Sequence, residues 1–312
     1  MKISIITASL NRKEFIGAAI DSVLAQNFAD FEHWIIDGGS TDGTLECLRR
    51  YPHLKLVSEP DRGVYDAWNK GIDRATGDVV GILNSDDVYA PGAFDSCAKL
   101  LAGSPIVQVV SGGCQIFRKG PRGNEIEMHR YQDPARYRLS LRSATLGLPI
   151  INGRFFRRSL FERFGRFNLE YPVASDREFL MRVSLEGTTD VCASSVYYRY
   201  LWHSGSLTMN AGNNTMLRGI EDGLEMIRKT LESNVLRLAD KDVLLEWRCE
   251  LLATRILVHA VMKEGATALT LAKESFKVDP RCLLALVRCG ALATGRRART
   301  TLRTWLQSEK AV

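Results

Sequence analysis

VVGILNSDDVY, residues 79–89, carries an apolar run straight into two adjacent carboxylates, Asp86 and Asp87. Neighbouring acids repel each other and lose hydration on burial unless a cation or a hydrogen-bond donor lies between them. At the carboxyl end of a strand, this arrangement points to a divalent metal that holds something anionic. Working outward, the same rhythm recurs upstream. Residues 3–7 read as a buried strand, and Ile16, Ala19, Ile20, Val23 and Leu24 then recur at helical spacing. Residues 33–36 form a second strand, after which Ser40 or Thr41 is expected to cap a short helix carrying Leu45 and Leu48. Residues 54–57 are a third strand. Val64, Trp68, Ile72 and Ala75 make the next helical face, with Gly77 expected as its C-terminal stop. Residues 79–83 are the fourth strand, and Pro91 is expected in the first turn of the helix that follows. Strand and helix alternating at this pace predict an α/β fold with a mixed, mainly parallel sheet flanked by helices.

Beyond residue 105 the pattern loosens. Residues 107–117 and 125–131 read as longer strands around the turn KGPRGN, and 131–152 is poorly patterned and is expected as a mobile loop. Residues 159–164 and 175–185 read as helices and 191–202 as a strand. From about residue 211 the chain is helical, with Leu244, Trp247, Leu251 and Ile256 spaced as one buried face. The expected organisation is a domain over 1–210 and a helical C-terminal region over 211–312 with a basic, amphipathic end.

Composition narrows the class. The 312 residues are 45% hydrophobic and 25% charged, values of an ordinary globular chain. No apolar run approaches the roughly 20 residues needed to span a bilayer. The N-terminus enters a strand directly, with no small-residue cleavage site, so a signal peptide is not expected. The seven cysteines form no close CxxC pair and read as reduced core thiols of a cytoplasmic protein. Residues 281–312 hold seven basic residues and one acid, a sum of +6 that equals the net charge of the whole chain. A neutral body with a basic end argues against nucleic-acid binding and fits attachment to an acidic surface.

Open parallel sheets gather ligands where strands end at their carboxyl edge. Four such ends are polar here: TASLNR (7–12), DGGSTD (37–42), EPDRG (59–63) and NSDD (84–87). Asx and Gly after one strand usually mean only a turn; four on one edge, in order, mean more.

ISIITASLNR, WIIDGGSTDGT, SEPDRGVYDAWNKGIDRATGD and GILNSDDVY together resemble the successive motifs of the family 2 glycosyltransferases, densely over residues 3–105 and thinly to about 207. The resemblance implies a GT-A type, Rossmann-like fold and a metal-dependent, inverting transfer from a nucleotide-sugar, UDP-linked, to a hydroxyl of a glycan or lipid-linked acceptor in bacterial surface polysaccharide synthesis. Thr7, Ala8, Ser9 and Arg12 fall where the family's first loop wraps the nucleotide. Asp37 matches the acid that accepts a hydrogen bond from the base. Asp61 and Arg62 match ribose or diphosphate contacts. Asp66 and Asn69, on one helical face, brace that loop or touch the donor sugar. Asn84 stands where many relatives carry an acid, and is placed with Asp87 near the sugar. Asp86, helped by Asp87, is the expected ligand of Mn2+ or Mg2+, hard cations that suit carboxylate oxygen. His203, in RYLWHSGSLTM, is a further metal ligand or diphosphate contact, and Trp202 stacks on an acceptor sugar or on the core.

An in-line displacement needs a residue to take the acceptor's proton. Asp176, in VASDREFLMRV, matches the family's catalytic acid, with Glu178 as the alternate; its place at a helix start is expected to keep it ionised. Two rivals stand beside this reading. A sugar nucleotidylyltransferase would want a glycine-rich, basic first loop, which TASLNRKEF lacks. A catalytically inactive, transferase-like interaction protein is kept open by Asn84.

Overall fold

The computed structural model describes residues 1–147, 149–203, 205, 215–232 and 236–294. The chain divides into two compact units, Met1–Trp202 and His203–Val312.

The first unit opens with β1 (Ile3–Ser9), α1 (Ile16–Leu24), β2 (Phe31–Asp37), α2 (Thr44–Leu48), β3 (Leu54–Ser58), α3 (Val64–Arg74) and β4 (Val79–Ile82). Ile3, Ile5, Ile6, Ile35, Ile36, Val79, Val80 and Ile82 are all fully buried, as strands covered on both faces require. The helices cover them through Ile16, Ala19, Ile20 and Val23 on α1 and Ala67, Trp68 and Ile72 on α3. β3, β2, β1 and β4 pair in that order and in parallel, so all four carboxyl ends share one edge.

The rest of the unit is β5 (Val88–Tyr89), α4 (Ala93–Ala102), β6 (Val109–Lys119), β7 (Glu125–Tyr131), α5 (Pro134–Tyr137), α6 (Leu141–Thr145), β8 (Arg154–Arg157), α7 (Arg158–Phe164), α8 (Ser175–Leu185) and β9 (Asp190–Leu201). The sheet continues past β4 as β8-β6-β9-β5, with β7 on β6. β8 runs antiparallel to both β4 and β6, β9 is parallel to β6, and β5 is antiparallel to β9. Gly81 makes the junction possible: a Cβ there would meet the Phe155 ring and the Tyr89 hydroxyl at 2.8 Å.

Several local expectations are corrected. Neither Ser40 nor Thr41 caps α2; the cap is Gly43, and Asp42 Oδ1 accepts the Thr44 N–H at 2.9 Å. Gly77 does not end α3, which stops at Arg74; its N–H donates to Ser4 Oγ at 2.8 Å, and a Cβ would lie 2.6 Å from that oxygen. Pro91 precedes α4, whose N-cap is Gly92. The stretch 131–152, read as a loop, contains α5 and α6, started by the side chains of Asp133 and Ser140, which accept backbone N–H groups.

The second unit contains α9 (Thr215–Leu231), α10 (Leu238–Val261), α11 (Gly265–Val278) and α12 (Arg281–Thr294). On α10, Leu244, Trp247 and Ile256 are buried as the spacing predicts, while Leu251 is only half-buried. Cys249 and Cys282 meet between α10 and α12 in a small core with Ala253 and Ala285. No helix among the described residues is long and apolar enough to cross a membrane.

Candidate active site

The first two strand-end loops are stitched together by short polar side chains. Asn11 Oδ1 accepts the Thr41 N–H at 2.9 Å, Ser40 Oγ accepts the Asn11 N–H at 2.8 Å, and Thr44 Oγ1 accepts the Arg12 N–H at 2.9 Å. Asn11 adopts φ +53°, a conformation asparagine tolerates better than most residues. Asp37 closes β2 fully buried. Its Oδ2 accepts Gly39 N–H (3.0 Å), Ser40 N–H (2.9 Å) and Ser58 Oγ–H (2.8 Å), and Oδ1 accepts the Ser40 hydroxyl. In-plane register sets Ser9 of β1 and Ser58 of β3 either side of Asp37. Ser9 Oγ is buried with no hydrogen-bond partner among the described residues. Thr7 turns the other way: its hydroxyl meets His33 Nε2 at 3.0 Å inside the core, so at this point β1 offers a ligand its backbone alone. Burial holds His33 far below the usual imidazole range, at about 3, and hence neutral.

The third loop leans on the second. A Cβ on Gly38 would sit 2.6 Å from Asp61 Oδ2, so only glycine permits this approach. Asp61 Oδ1 accepts the Gly63 N–H at 2.8 Å. Asp66 Oδ2 accepts the Arg62 N–H at 3.1 Å, its Oδ1 takes Arg62 Nη2–H at 3.2 Å, and Lys70 lies at 3.7 Å. Asp66 is therefore a brace of this loop. Burial alone would raise its carboxyl, but the Arg62 bonds and the Lys70 charge hold it below the ordinary range. Arg62, with 77% of its side chain exposed, reaches out from that brace. Asn69, on the same helix, clamps a distant segment: its Nδ2–H donates to the Phe167 carbonyl and its Oδ1 accepts the Phe167 N–H, both at 2.9 Å.

The paired acids after β4 have opposite fates. Asp87 is fully buried; its Oδ2 accepts the Tyr198 hydroxyl and Asn84 Nδ2–H (3.1 Å), and its Oδ1 accepts the Leu201 N–H at 2.7 Å. Burial and the neighbouring charge of Asp86 push it up to about 7. Both oxygens accept hydrogen bonds from β9, so Asp87 anchors this loop to that strand. Asn84 is likewise occupied: it also donates to Tyr198 Oη at 3.1 Å and accepts from Asn152 Nδ2–H at 3.3 Å. The amide in place of an acid suits this role, because a third carboxylate beside Asp87 would add repulsion in a buried network. Asp86 is half-buried at the same strand end.

Asp176 is the second residue of α8. Its Oδ1 accepts the Tyr65 hydroxyl at 3.0 Å and the Arg177 N–H at 2.8 Å. Burial raises its carboxyl above the ordinary value, with Arg177 and Tyr65 partly offsetting it. The helix start alone does not dominate, as the sequence reading assumed. Glu178 is tied to Arg182 one turn on, at 2.8 Å. Trp202 donates its N–H to the Phe117 carbonyl at 2.7 Å. His203 falls in the second unit, where its Nδ1 accepts the Gly205 N–H at 3.2 Å. Residues 204 and 206–209 of the expected loop over the donor lie outside the described residues, as does the basic stretch 295–312. Among the described residues no group of three or more His, Cys, Asp or Glu comes together as a metal site.

Tyr65, Tyr198 and Asn152 are the members that sequence reading missed. Tyr65 stands in the VYDAW motif, and that position is the one signal available.

Residues 4–165 match the family described as glycosyl transferase family 2. A PGL/p-HBAD biosynthesis glycosyltransferase of Mycobacterium bovis is 31% identical over 186 residues, covering 57% of this chain and 68% of that protein. The S. aureus TarS fragment 1–349, solved with UDP, superposes with a TM-score of 0.65 at 18% identity over 99% of this chain and 91% of that one; the chain spans 43% of the longer TarS. The mannosyltransferase PcManGT of Pyrobaculum calidifontis, solved with GDP-Man and Mn2+, gives 0.62 at 22% identity, over 97% and 84%. At these identities the two structures establish a shared fold, that of the GT-A glycosyltransferases.

Proposed function

The chain belongs to glycosyl transferase family 2 and is a glycosyltransferase, and from that premise we propose an inverting, metal-assisted transfer of a sugar from a UDP-linked donor to a hydroxyl of a glycan or lipid-linked acceptor. The observation that carries this reading is the division of labour at the end of β4. Asp87 is held inward by Tyr198 and Leu201, and Asp86 is the half-buried carboxylate beside it at the strand end.

A hard carboxylate oxygen suits Mg2+ or Mn2+, cations that keep several waters and take phosphate oxygens rather than a full protein cage. With no three-residue ligand set among the described residues, the protein would contribute Asp86, and the donor's diphosphate would supply much of the rest. Bound there, the cation would neutralise charge growing on the leaving diphosphate. The stitched loops at residues 9–13 and 38–43 would hold the nucleoside, with Ser9, Ala8 and Arg12 beside Asp37. Among the described residues Asp37 Oδ1 accepts one hydrogen bond, so it keeps a lone pair for a ring N–H. Arg62 would reach the diphosphate. Asp176 would take the acceptor's proton as its oxygen attacks the anomeric carbon and the bond to the diphosphate breaks. His203 as a further diphosphate or metal contact belongs to the same proposal.

The mycobacterial relative's part in PGL/p-HBAD biosynthesis supports a biosynthetic transfer, and a surface polysaccharide assembled at the inner face of the cytoplasmic membrane is the setting we infer. Leu283, Leu284 and Val287 of α12 are 52%, 73% and 63% exposed, at the head of a segment with a charge of +6, which suits an anionic lipid surface. Vesicles with anionic phospholipid should co-sediment the protein and neutral vesicles should not, with Leu284→Asp weakening the effect. Equal behaviour on both removes the membrane contact.

The deciding experiment is turnover of a panel of nucleotide-sugars with and without Mn2+, for wild type and Asp86→Ala. Metal-dependent release of UDP that falls by at least about a thousandfold in Asp86→Ala supports the reading. Turnover that ignores the metal and survives the substitution overturns it, and the absence of turnover with any donor favours an inactive scaffold.

A further inference from the structure

Tyr65 joins two segments that lie more than a hundred residues apart. It is the second residue of α3, and its hydroxyl lies 3.0 Å from Asp176 Oδ1 and 3.0 Å from the Val173 carbonyl. Its ring is held by the core: the centroid of Trp68 is 5.3 Å away edge-on and that of Phe167 is 5.9 Å away. The position of the hydroxyl is therefore set by packing, not by its own rotation. Arg177 N–H is the second donor from another residue to Asp176, and it too lands on Oδ1. Among the described residues no hydrogen bond from another residue reaches Oδ2. One oxygen of the carboxylate is anchored twice by its neighbours and the other is not.

We propose that Tyr65 is a positioning residue for the base, holding Asp176 Oδ1 so that Oδ2 faces the acceptor hydroxyl. This rests on the reading of Asp176 as the base. The chemistry of the phenol suits it to both protonation states. A phenol has one proton to give and can also accept. While Asp176 is ionised, that proton points at Oδ1. Once Oδ2 has taken the acceptor's proton, the carboxyl is neutral, and the phenol can turn its O–H to the Val173 carbonyl. It keeps a partner before and after the transfer, so the proton arrives without stranding a buried hydroxyl.

The charged and titratable groups that act on the carboxyl are Arg177 on α8 and Tyr65 on α3. Burial works against the ionised form, and the Tyr65 bond works for it. The placement also ties the base to the donor side of the site. The next residue, Asp66, carries Arg62 on its two oxygens. One turn of α3 thus holds the expected diphosphate contact on one side and the base on the other.

The test is the pH dependence of kcat in Tyr65→Phe, which keeps the ring packing. The carboxylate loses a donor, so its acid limb should move to higher pH, kcat at neutral pH should fall roughly tenfold to a hundredfold, and the donor KM should stay within about twofold. Site-specific 3-fluorotyrosine at position 65, a stronger donor of the same shape, should move the limb to lower pH, and it decides the matter where Tyr65→Phe does not fold. An unmoved limb in either variant overturns the proposal. Asp176→Asn separates the two readings. If it keeps its kcat, the base assignment falls; if it abolishes turnover while the Tyr65 variants behave as wild type, the positioning role alone falls.

Discussion

The parallel half of the sheet, β3-β2-β1-β4, and the half beyond it, β8-β6-β9-β5, handle buried polar groups differently. In the parallel half those at the strand ends bond within their own loop or to the adjacent strand or strand-end loop. Asp37 gathers Gly39, Ser40 and Ser58, and Asn11 and Asp42 tie one strand-end loop to the next. In the other half they reach across the sequence. Tyr198 and Leu201 of β9 hold Asp87, and Asn152 ahead of β8 holds Asn84. The parallel half shapes the edge where four polar strand ends gather, and the second half holds Asp87 inward at that edge.

The largest test of that contrast compares the two adjacent acids by denaturant unfolding. Asp87→Ala leaves the buried Tyr198 hydroxyl and the Leu201 N–H without their acceptor, and should cost roughly 3 kcal/mol. Asp86→Ala should cost less than about 0.5 kcal/mol, because its site is half-exposed. Equal losses would erase the distinction between anchor and edge.

A smaller effect sets the halves apart by pH. Glu32 sits 3% exposed in the parallel half, taking Lys55 at 2.6 Å, Lys2 at 3.1 Å, Ser4 Oγ at 2.6 Å and Thr76 N–H at 2.7 Å. Burial would raise its carboxyl, but these partners overcome it and hold it far below its usual 4.5. Its contribution is therefore present above about pH 4.5 and is lost as the pH falls. Asp87 has the opposite sign. Pushed up to about 7 by burial and by Asp86, its contribution is present below its usual 3.8 and is lost as the pH rises toward 7. Glu32→Gln should cost about 1–2 kcal/mol at neutral pH, with the difference from wild type shrinking below pH 4. A difference that stays constant with pH would show that the charge of Glu32 does not matter.

The legibility of the two halves differs for the same reason. β1, β2, β3, β4, α1 and α3 are long or apolar enough for their periods to show, and α8 begins and ends where its pattern does. β5 and β8 are two and four residues long, too short for any period. α5 and α6 were hidden in 131–152 by their four- and five-residue lengths, although Asp133 and Ser140 are ordinary helix-starting residues. Among site residues, the strand-end acids were visible because each follows an apolar run. That Asn69 would grip Phe167 and Tyr65 would grip Asp176 was not, since each bond joins residues about a hundred positions apart.

From the sequence alone come the four polar strand ends, their order along one edge and the family to which they belong, because apolar periodicity and motif spacing are local properties. Which of two neighbouring aspartates turns inward, which asparagines serve as braces and which tyrosine meets the base were decided by tertiary structure. Hydrogen bonds to buried carboxylates come from whichever chain segment packs beside them, and only the folded sheet brings those segments within 3 Å.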